Sequence, residues 1–468
     1  MKSTSWLPSA LILLAAVVST TDARAIQSQQ ANRWAGWPAP ALQFAPPPTR
    51  ISGSPDWAEQ EVIADDGQAA DLYGFDVLVR GDLAFVSAAA PIYRPGKVYV
   101  FAKVADAWMQ TQVITATQDP SAPPNWSDFF GWSLALSGDR LLVGAPFAFD
   151  PMMGPIGAAY VFTNVAGTWT QTSALTATIP TATDYFGWAV TLAGNTAVIG
   201  ANSHNRGANG TEGAAYVFLD ENDAWTQTQL LEGSDSTPGD GHQFGNAIAF
   251  DGTTLLIGAP GADYSSTGVY FPGAAYRFGN VGGTWTETAR LVPDDSANGD
   301  QFGFSLAASA DTALIGAPAA TIGANSHQGA IYAFDLAGGA GQQVQKLVAS
   351  DGVALNQFGQ SVALAGDTAV VGQWRFDDDP NHPAPEPAPG EAYLFERSAG
   401  VWSQAHVFAA SDGTPGDSFG WSVDADGTSV LVGAQGNVGA NTFQGTAYFY
   451  SPQIDDVIFA DAFEGTAR

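Results

Sequence analysis

Apolar and polar positions follow a pattern that recurs seven times along the chain. In one unit, the apolar segments Phe130 to Leu136 and Arg140 to Val143 are joined by the turn Ser137-Gly138-Asp139. A third apolar segment, Ala158 to Phe162, follows, and a fourth, Trp169 to Leu175, mixes polar with apolar residues. Segments that are apolar on both faces indicate buried strands, and alternation indicates a half-exposed edge strand. Each unit therefore predicts four short antiparallel strands, the fourth on the outside.

An aromatic-glycine pair opens each unit. In six units a second glycine follows the glycine of this pair by thirteen residues, as Gly144 follows Gly131. A third glycine precedes the tryptophan of the fourth segment by twelve residues, as Gly157 precedes Trp169. A unit of this length without helical periodicity is typical of a ring of blades. We therefore predict an all-β fold, a seven-bladed β-propeller of four-stranded antiparallel blades. The pairs, whose aromatic residues lie 57, 56, 58, 58, 56 and 61 residues apart, are Tyr73-Gly74, Phe130-Gly131, Phe186-Gly187, Phe244-Gly245, Phe302-Gly303, Phe358-Gly359 and Phe419-Gly420.

The two ends of the repeat are complementary. The last unit supplies only three strands, ending near Tyr450, whereas Trp57 to Val62 has the character of a fourth strand and precedes the first unit. An open ring would expose strand edges that invite aggregation. We therefore expect the N-terminal strand to complete the last blade.

Length variation is confined to two connections in each unit. The span from the second to the third glycine ranges from 9 to 18 residues, and the span from the tryptophan to the next aromatic-glycine pair from 17 to 23. Because strand direction alternates, both connections lie on one face of the ring, here called the variable face; the opposite one is the constant face. Aromatic and methionine side chains on exposed loops are typical of binding surfaces, although they can also fold over their own blades. The candidate ligand-binding residues are Met152, Met153, Tyr264, Tyr270, Phe271, Trp374 and Phe376.

Acidic residues precede most of the aromatic-glycine pairs. The set Asp294, Asp295, Asn298 and Asp300 has the oxygen ligands that a divalent cation prefers, which makes it the best candidate metal site. An aspartate two residues before the aromatic recurs in five units, however. That repetition favours a second interpretation, in which the carboxylate closes the turn by bonding to backbone N–H groups.

Composition narrows the functional classes. The chain has no cysteine and a formal net charge of −30, which makes nucleic acid and anionic lipid poor partners. The five histidines occupy unrelated positions in the repeat, and no hydrolase signature occurs. We expect no enzymatic activity and no cofactor.

The termini differ from the repeat. Residues 1–25 carry a charged start, an apolar run and small residues, as in a signal peptide, and residues 26–56 form a Pro-rich linker. The predicted propeller spans 57–450, and a tail follows over 451–468. Within that tail, Asp456 to Glu464 resembles the C-terminal tails of exported proteins of Gram-negative bacteria. No further segment is apolar enough to span a membrane, so we expect a monomer secreted or held in the bacterial envelope.

The motifs quoted above resemble FG-GAP repeats, the units of integrin α-subunit propellers and of many bacterial surface proteins. The resemblance implies a propeller that binds ligands through loops on one face, often in adhesion. It also implies Ca²⁺ in an Asp-rich loop between the first two strands of some blades. Here that connection is a short turn such as Ser137-Gly138-Asp139, so we expect no calcium there. The tripeptide Arg80-Gly81-Asp82 occupies the same turn in the first unit and is explained by it.

We accordingly expect a non-catalytic binding or adhesion module at the bacterial surface, with an unidentified protein or glycan ligand on the variable face. Two alternatives remain open. One is an exported hydrolase or lyase that uses carboxylates and a cation, and the other is a structural component of a surface assembly.

Overall fold

The computed structural model describes residues 57–89, 94–117, 126–205, 211–236, 241–262, 272–374, 389–436 and 443–453. These residues form strands and turns, with no helix among them. The predicted signal peptide and linker, and the tail beyond residue 453, lie outside the described residues.

Thirty strands form seven four-stranded antiparallel sheets and one two-stranded hairpin. The predicted seven-bladed propeller is therefore confirmed. In chain order the strands are β1 (Trp57–Val62), β2 (Tyr73–Arg80), β3 (Leu83–Ala88), β4 (Lys97–Val104), β5 (Ala107–Ile114), β6 (Leu134–Ser137), β7 (Arg140–Ala145), β8 (Phe149–Asp150), β9 (Gly154–Pro155), β10 (Ala158–Val165), β11 (Thr168–Leu175), β12 (Val190–Ala193), β13 (Thr196–Ala201), β14 (Ala214–Asp220), β15 (Trp225–Leu231), β16 (Ala247–Phe250), β17 (Leu255–Ala259), β18 (Ala274–Val281), β19 (Thr284–Leu291), β20 (Leu306–Ala308), β21 (Thr312–Ala317), β22 (Ala330–Asp335), β23 (Gln342–Leu347), β24 (Ser361–Ala365), β25 (Thr368–Gln373), β26 (Glu391–Ser398), β27 (Val401–Phe408), β28 (Phe419–Ala425), β29 (Val430–Ala434) and β30 (Thr446–Pro452).

Five blades take four consecutive strands each: blade 1 is β2 to β5, blade 3 is β12 to β15, blade 4 is β16 to β19, blade 5 is β20 to β23 and blade 6 is β24 to β27. Blade 2 consists of β6, β7, β10 and β11, with the hairpin β8–β9 inserted between its second and third strands. Blade 7 has the order β1-β30-β29-β28, in which Trp57 pairs with Pro452 and Val62 with Ala447. The N-terminal strand thus closes the ring as the sequence predicts.

The first strands of the blades lie around the axis. Each contacts the first strand of the next blade, in the closed series β2, β6, β12, β16, β20, β24, β28 and back to β2. The fourth strands are outermost, and in β11 exposed residues alternate with more buried ones. The core therefore consists of layers between adjacent blades. In one layer, Phe85 and Val100 of blade 1 pack with Leu141 and Phe162 of blade 2.

Glycines allow adjacent blades to approach at the variable face. Gly187 of blade 3 has φ 95°, and a Cβ there would lie 2.3 Å from the carbonyl oxygen of Ala158 in blade 2. A Cβ on Gly144 of blade 2 would in turn lie 2.1 Å from the carbonyl oxygen of Gly187. Backbone contacts this close require residues without a side chain. The recurring glycines therefore mark the seams between blades.

The first strand of blade 2 starts later than predicted. It begins at Leu134, because Phe129 (φ 56°) and Gly131 (φ 93°) adopt left-handed conformations that turn the chain before the strand. Phe130 lies in this turn and is fully buried. In blades 1 and 7 the aromatic residue does start the strand, and a bulge follows it.

Candidate ligand-binding site on the variable face

The residue that follows each aromatic-glycine pair lies at the variable-face end of a first strand, because each first strand starts from the link between blades. First strands surround the axis, so these seven residues are close to it. Four of them, in successive blades, are aromatic, and a fifth aromatic stands in blade 5. From blade 7 through blade 6 they are Trp421, Phe75, Trp132, Trp188, Asn246, Phe304 and Gln360.

The four successive aromatic rings contact one another across the blade boundaries. The ring centroids of Trp421 and Phe75 are 5.7 Å apart, those of Phe75 and Trp132 4.6 Å, and those of Trp132 and Trp188 4.5 Å. We call these four residues the aromatic belt. Phe75 is buried, whereas the three tryptophans are partly exposed. The belt therefore presents indole surface to solvent on the variable face.

Aromatic side chains from neighbouring turns extend the belt at both ends. Trp374, the residue after β25, packs edge-on against Trp421 with centroids 4.9 Å apart. At the other end, Tyr185 lies 6.1 Å from Trp188 and 4.8 Å from Phe147, which follows β7. These contacts make one continuous aromatic surface from blade 6 to blade 3.

Hydrogen bonds fix the side chains around this surface. The indole Nε1 of Trp374 donates to Oε1 of Gln357 at 2.8 Å. On the opposite side of the axis, Nδ2 of Asn246 donates to the carbonyl oxygen of Phe304 at 3.1 Å, and Nδ2 of Asn202 donates to Oδ1 of Asn246 at 3.2 Å. One side of the axis is thus aromatic, and the other includes neutral amides.

Two inner-strand carboxylates lie near the belt in sequence and bond to backbone. Asp76 accepts hydrogen bonds from the N–H groups of Val77 (2.9 Å) and Leu134 (2.7 Å). Burial raises the pKa of Asp76 to about 7, although both hydrogen bonds oppose the shift. Asp424 accepts from the N–H of Val79 at 2.7 Å and pairs with Arg80. Both carboxylates link their own blade to the next one.

The predicted ligand-binding residues fall into separate places. Trp374 joins the aromatic surface described above. Met152 and Met153 lie between β8 and β9, where they are 94% and 42% exposed, and their N–H groups both donate to Oδ1 of Asp150. The other four candidates, Tyr264, Tyr270, Phe271 and Phe376, lie outside the described residues. Sequence reasoning did not select the belt, although Phe-Gly-Trp occurs three times and was a usable signal.

The residues of the candidate metal site lie in one link between blades but have separate partners. Oδ2 of Asp295 pairs with Nζ of Lys346 at 2.8 Å, and the backbone N–H of Asp294 donates to Oε1 of Gln343. Burial acts to raise the pKa of Asp295, but the Lys346 ammonium outweighs it and the pKa falls. Asn298 lies in the turn between them and Asp300. Among the described residues, no three His, Cys, Asp or Glu side chains form a metal-binding group.

Asp300 bonds to the backbone of this turn, as expected if the repeated aspartate serves to close the turn. Its Oδ2 accepts the N–H of Ala297 at 2.8 Å, and burial raises its pKa to about 6. Equivalent bonds join Asp71 to Gln68 and Asp417 to Thr414. The repeated aspartate therefore has a structural role in at least these three turns.

Comparison with protein families explains the repeat. A sequence model described as the FG-GAP repeat matches residues 108–162, 169–218, 225–278, 285–334, 342–395 and 402–450, together more than half of the chain. The chain belongs to the FG-GAP repeat family. No curated protein shows a significant match to it.

The FG-GAP unit is offset from the blade by one strand. The match 108–162 starts at Trp108 in the fourth strand of blade 1 and ends at Phe162 in the third strand of blade 2. The match 402–450 likewise joins blade 6 to blade 7. A seventh unit, from Trp57 to Phe101, has no match; it carries Tyr73 in place of phenylalanine and Ser87 in place of the second glycine. Each FG-GAP unit therefore bridges two neighbouring blades.

Proposed function

We propose that this FG-GAP propeller is a non-catalytic binding module, acting at the bacterial cell surface or outside the cell, whose ligand binds the variable face at the aromatic belt. The observation that carries the proposal is that the fold does not require the belt. At the same position blade 4 has Asn246 and blade 6 has Gln360, so the ring accommodates polar side chains there. Aromatic side chains that a fold does not need, partly exposed on a rigid scaffold, are typical of binding sites.

Fold and family agree with a binding role. FG-GAP repeats are typical of extracellular domains, and a propeller of this kind is consistent with binding or adhesion, although a fold alone does not determine function. Within the described part of the chain, no helix is long and apolar enough to cross a membrane. A module that is exported and then retained by its ligand is consistent with both observations.

The geometry supports the belt as a functional site better than it supports the acidic segment between β19 and β20, which contains Asp294, Asp295 and Asp300. Asp295 is paired with Lys346, and Asp300 bonds to the backbone of its own turn. Among the described residues, no three His, Cys, Asp or Glu side chains form a metal-binding group, whereas the hydrolase and lyase alternative uses carboxylates together with a cation. We therefore favour binding over the hydrolase and lyase alternative.

The test compares attachment of the full chain with that of two variants. The labelled protein is incubated with cells of the source organism and with their extracellular material, and bound label is measured. The double variant Trp132→Gln/Trp188→Gln places at both positions the residue that blade 6 already has, so we expect it to fold. Attachment should fall roughly tenfold or more, as for loss of central aromatic anchors.

Asp82→Asn is the matched control, because Asp82 is exposed in a turn on the constant face. It should attach like the unmodified chain. Equal attachment of the double variant, with an unchanged melting temperature, would show that the belt is not the binding site.

A further inference from the structure

We propose that the aromatic belt binds a neutral oligosaccharide, with its sugar rings stacked on the indoles of Trp132, Trp188 and Trp421. This inference rests on the proposed function, since it names the ligand class of the same site. Sugar rings combine flat faces of C–H groups with a rim of hydroxyls. A site for them needs aromatic surface beside neutral hydrogen-bonding groups.

The orientation of the rings provides the first argument. Interplanar angles are 49° for Phe75 and Trp421, 44° for Phe75 and Trp132, and 48° for Trp132 and Trp188. Successive blades of a sevenfold propeller are rotated by about 51° about the axis. Because the interplanar angles are close to this rotation, each ring has nearly the same orientation within its own blade. The belt is therefore a curved wall of repeated, similarly placed rings. Such a wall fits a ligand made of repeated flat units better than one small group.

The amides across the axis provide the second argument. In Asn246, one N–H and one lone pair of the side-chain amide are used by Phe304 and Asn202. An amide group has two N–H donors and two acceptor lone pairs, so each of its atoms has capacity for one more bond. Gln360 places another amide at the same position of blade 6. Groups that both donate and accept match sugar hydroxyls.

Charge provides the third argument. Asp76 bonds to the N–H groups of Val77 and Leu134, and Asp424 bonds to the N–H of Val79 and pairs with Arg80. These carboxylates are directed at neighbouring backbone, so the belt does not offer them as counter-ions to a cationic ligand. The net charge of −30 disfavours an anionic one. A neutral ligand fits both conditions.

The experiment titrates the full chain with neutral hexasaccharides of glucose (α- and β-linked), mannose and N-acetylglucosamine, followed by tryptophan fluorescence and calorimetry. A glucosamine hexamer and a galacturonate hexamer serve as cationic and anionic counterparts. At least one neutral hexasaccharide should bind, with an affinity nearly independent of salt between about 0.05 and 0.5 M, because no charge pair is involved.

Two variants localise the binding. Trp132→Gln/Trp188→Gln should weaken the binding of the hexasaccharide roughly tenfold or more. Met109→Ala, which changes an exposed side chain on the outer strand β5, should leave it unchanged.

The inference would be overturned if no neutral hexasaccharide binds, or if binding persists in the double variant. Binding of the cationic hexamer alone would also overturn it and indicate an electrostatic ligand. If the double variant loses attachment to cells while no neutral hexasaccharide binds, the proposed function survives and only the ligand class is wrong.

Discussion

The side-chain amide of Gln60 exchanges two hydrogen bonds with the backbone of Trp108. Nε2 of Gln60 donates to the carbonyl oxygen of Trp108 at 2.7 Å, and the N–H of Trp108 donates to Oε1 of Gln60 at 2.8 Å. Gln60 belongs to the N-terminal strand of blade 7 and Trp108 to the fourth strand of blade 1. The same exchange joins Gln112 to Trp169 one blade further. The outer strands are thus connected through side chains where they have no backbone ladder between them.

Replacing Gln60 with alanine should lower the free energy of unfolding by about 1–3 kcal/mol, because two hydrogen bonds are lost and the backbone groups of Trp108 lose their partner. Urea unfolding measures the change. Gln112→Ala is the matched control at the neighbouring boundary and should have a similar cost. A cost for Gln112→Ala with none for Gln60→Ala would show that the closing strand contributes nothing through this contact.

Two truncations test the closure itself. A chain that begins at residue 51 should melt at nearly the same temperature as one that begins at residue 26, because it keeps β1. A chain that begins at residue 67 lacks β1 and leaves the edge of β30 unpaired, so its melting temperature should fall sharply. Equal melting of the two truncated chains would contradict closure by the N-terminal strand.

A methyl group at a seam between blades should be poorly tolerated. In Gly200→Ala, the new Cβ would lie 2.1 Å from the carbonyl oxygen of Gly245 in the next blade, and backbone cannot move away easily. We expect a loss of about 3 kcal/mol or more. Gly338→Ala is the control, since no atom lies within 4 Å of its added Cβ. Equal stability of the two variants, measured by thermal unfolding, would contradict the seam role of Gly200.

The buried carboxylate of Asp76 should make stability depend on pH. Its pKa rises from 3.8 to about 7 on folding, so between these values the folded chain holds its proton more tightly than the unfolded chain. The contribution of Asp76 is therefore fully present below pH 4 and is lost as the pH rises through about 7. Asp76→Asn should reduce the loss of melting temperature between pH 5 and pH 8. An identical pH profile for the variant would show that another group titrates.

Metal removal should leave the fold unchanged. The turns between first and second strands are too short for a calcium loop, so EDTA should shift the melting temperature little. Asp300→Ala should cost about 1 kcal/mol through the lost bond to Ala297. Asp294→Ala, which removes an exposed carboxylate, should cost less. A large loss of stability in EDTA would contradict this prediction and would support a metal site at Asp294, Asp295, Asn298 and Asp300.

The architecture could be predicted because the fixed residue spacing within each repeat reflects the geometry of a blade. Glycines at fixed spacing mark contacts where no side chain fits. The strand Trp57–Val62, which precedes the first aromatic-glycine pair, indicated how the ring closes. The start of β6 was predicted too early because apolar residues continue through the turn at Phe129 and Gly131. Gly131 lies against the preceding blade, where an added Cβ would be 2.9 Å from the Cβ of Ser87, and local sequence does not show this contact.

The proposed binding site was only partly predictable. Trp374 was selected because it stands in a variable loop. Trp132 and Trp188 are harder to recognise from the sequence, because each directly follows an aromatic-glycine pair and so belongs to the repeated pattern. Their contact across a blade boundary depends on the convergence of first strands at the axis, which is a property of the whole ring.

The pairing of β1 with β30 joins residues separated by almost the whole propeller, which constrains the order of folding. During synthesis the N-terminal strand emerges first, yet its partner emerges last, so it has no native neighbour in its own sheet until the chain is nearly finished. Blades 1 to 6 can each assemble from contiguous segments, whereas blade 7 is completed only by loop closure over nearly 400 residues, when β1 pairs with β30. We expect the final folding step to be slow, and an incomplete chain to present an unpaired β-edge to chaperones and to other copies of itself.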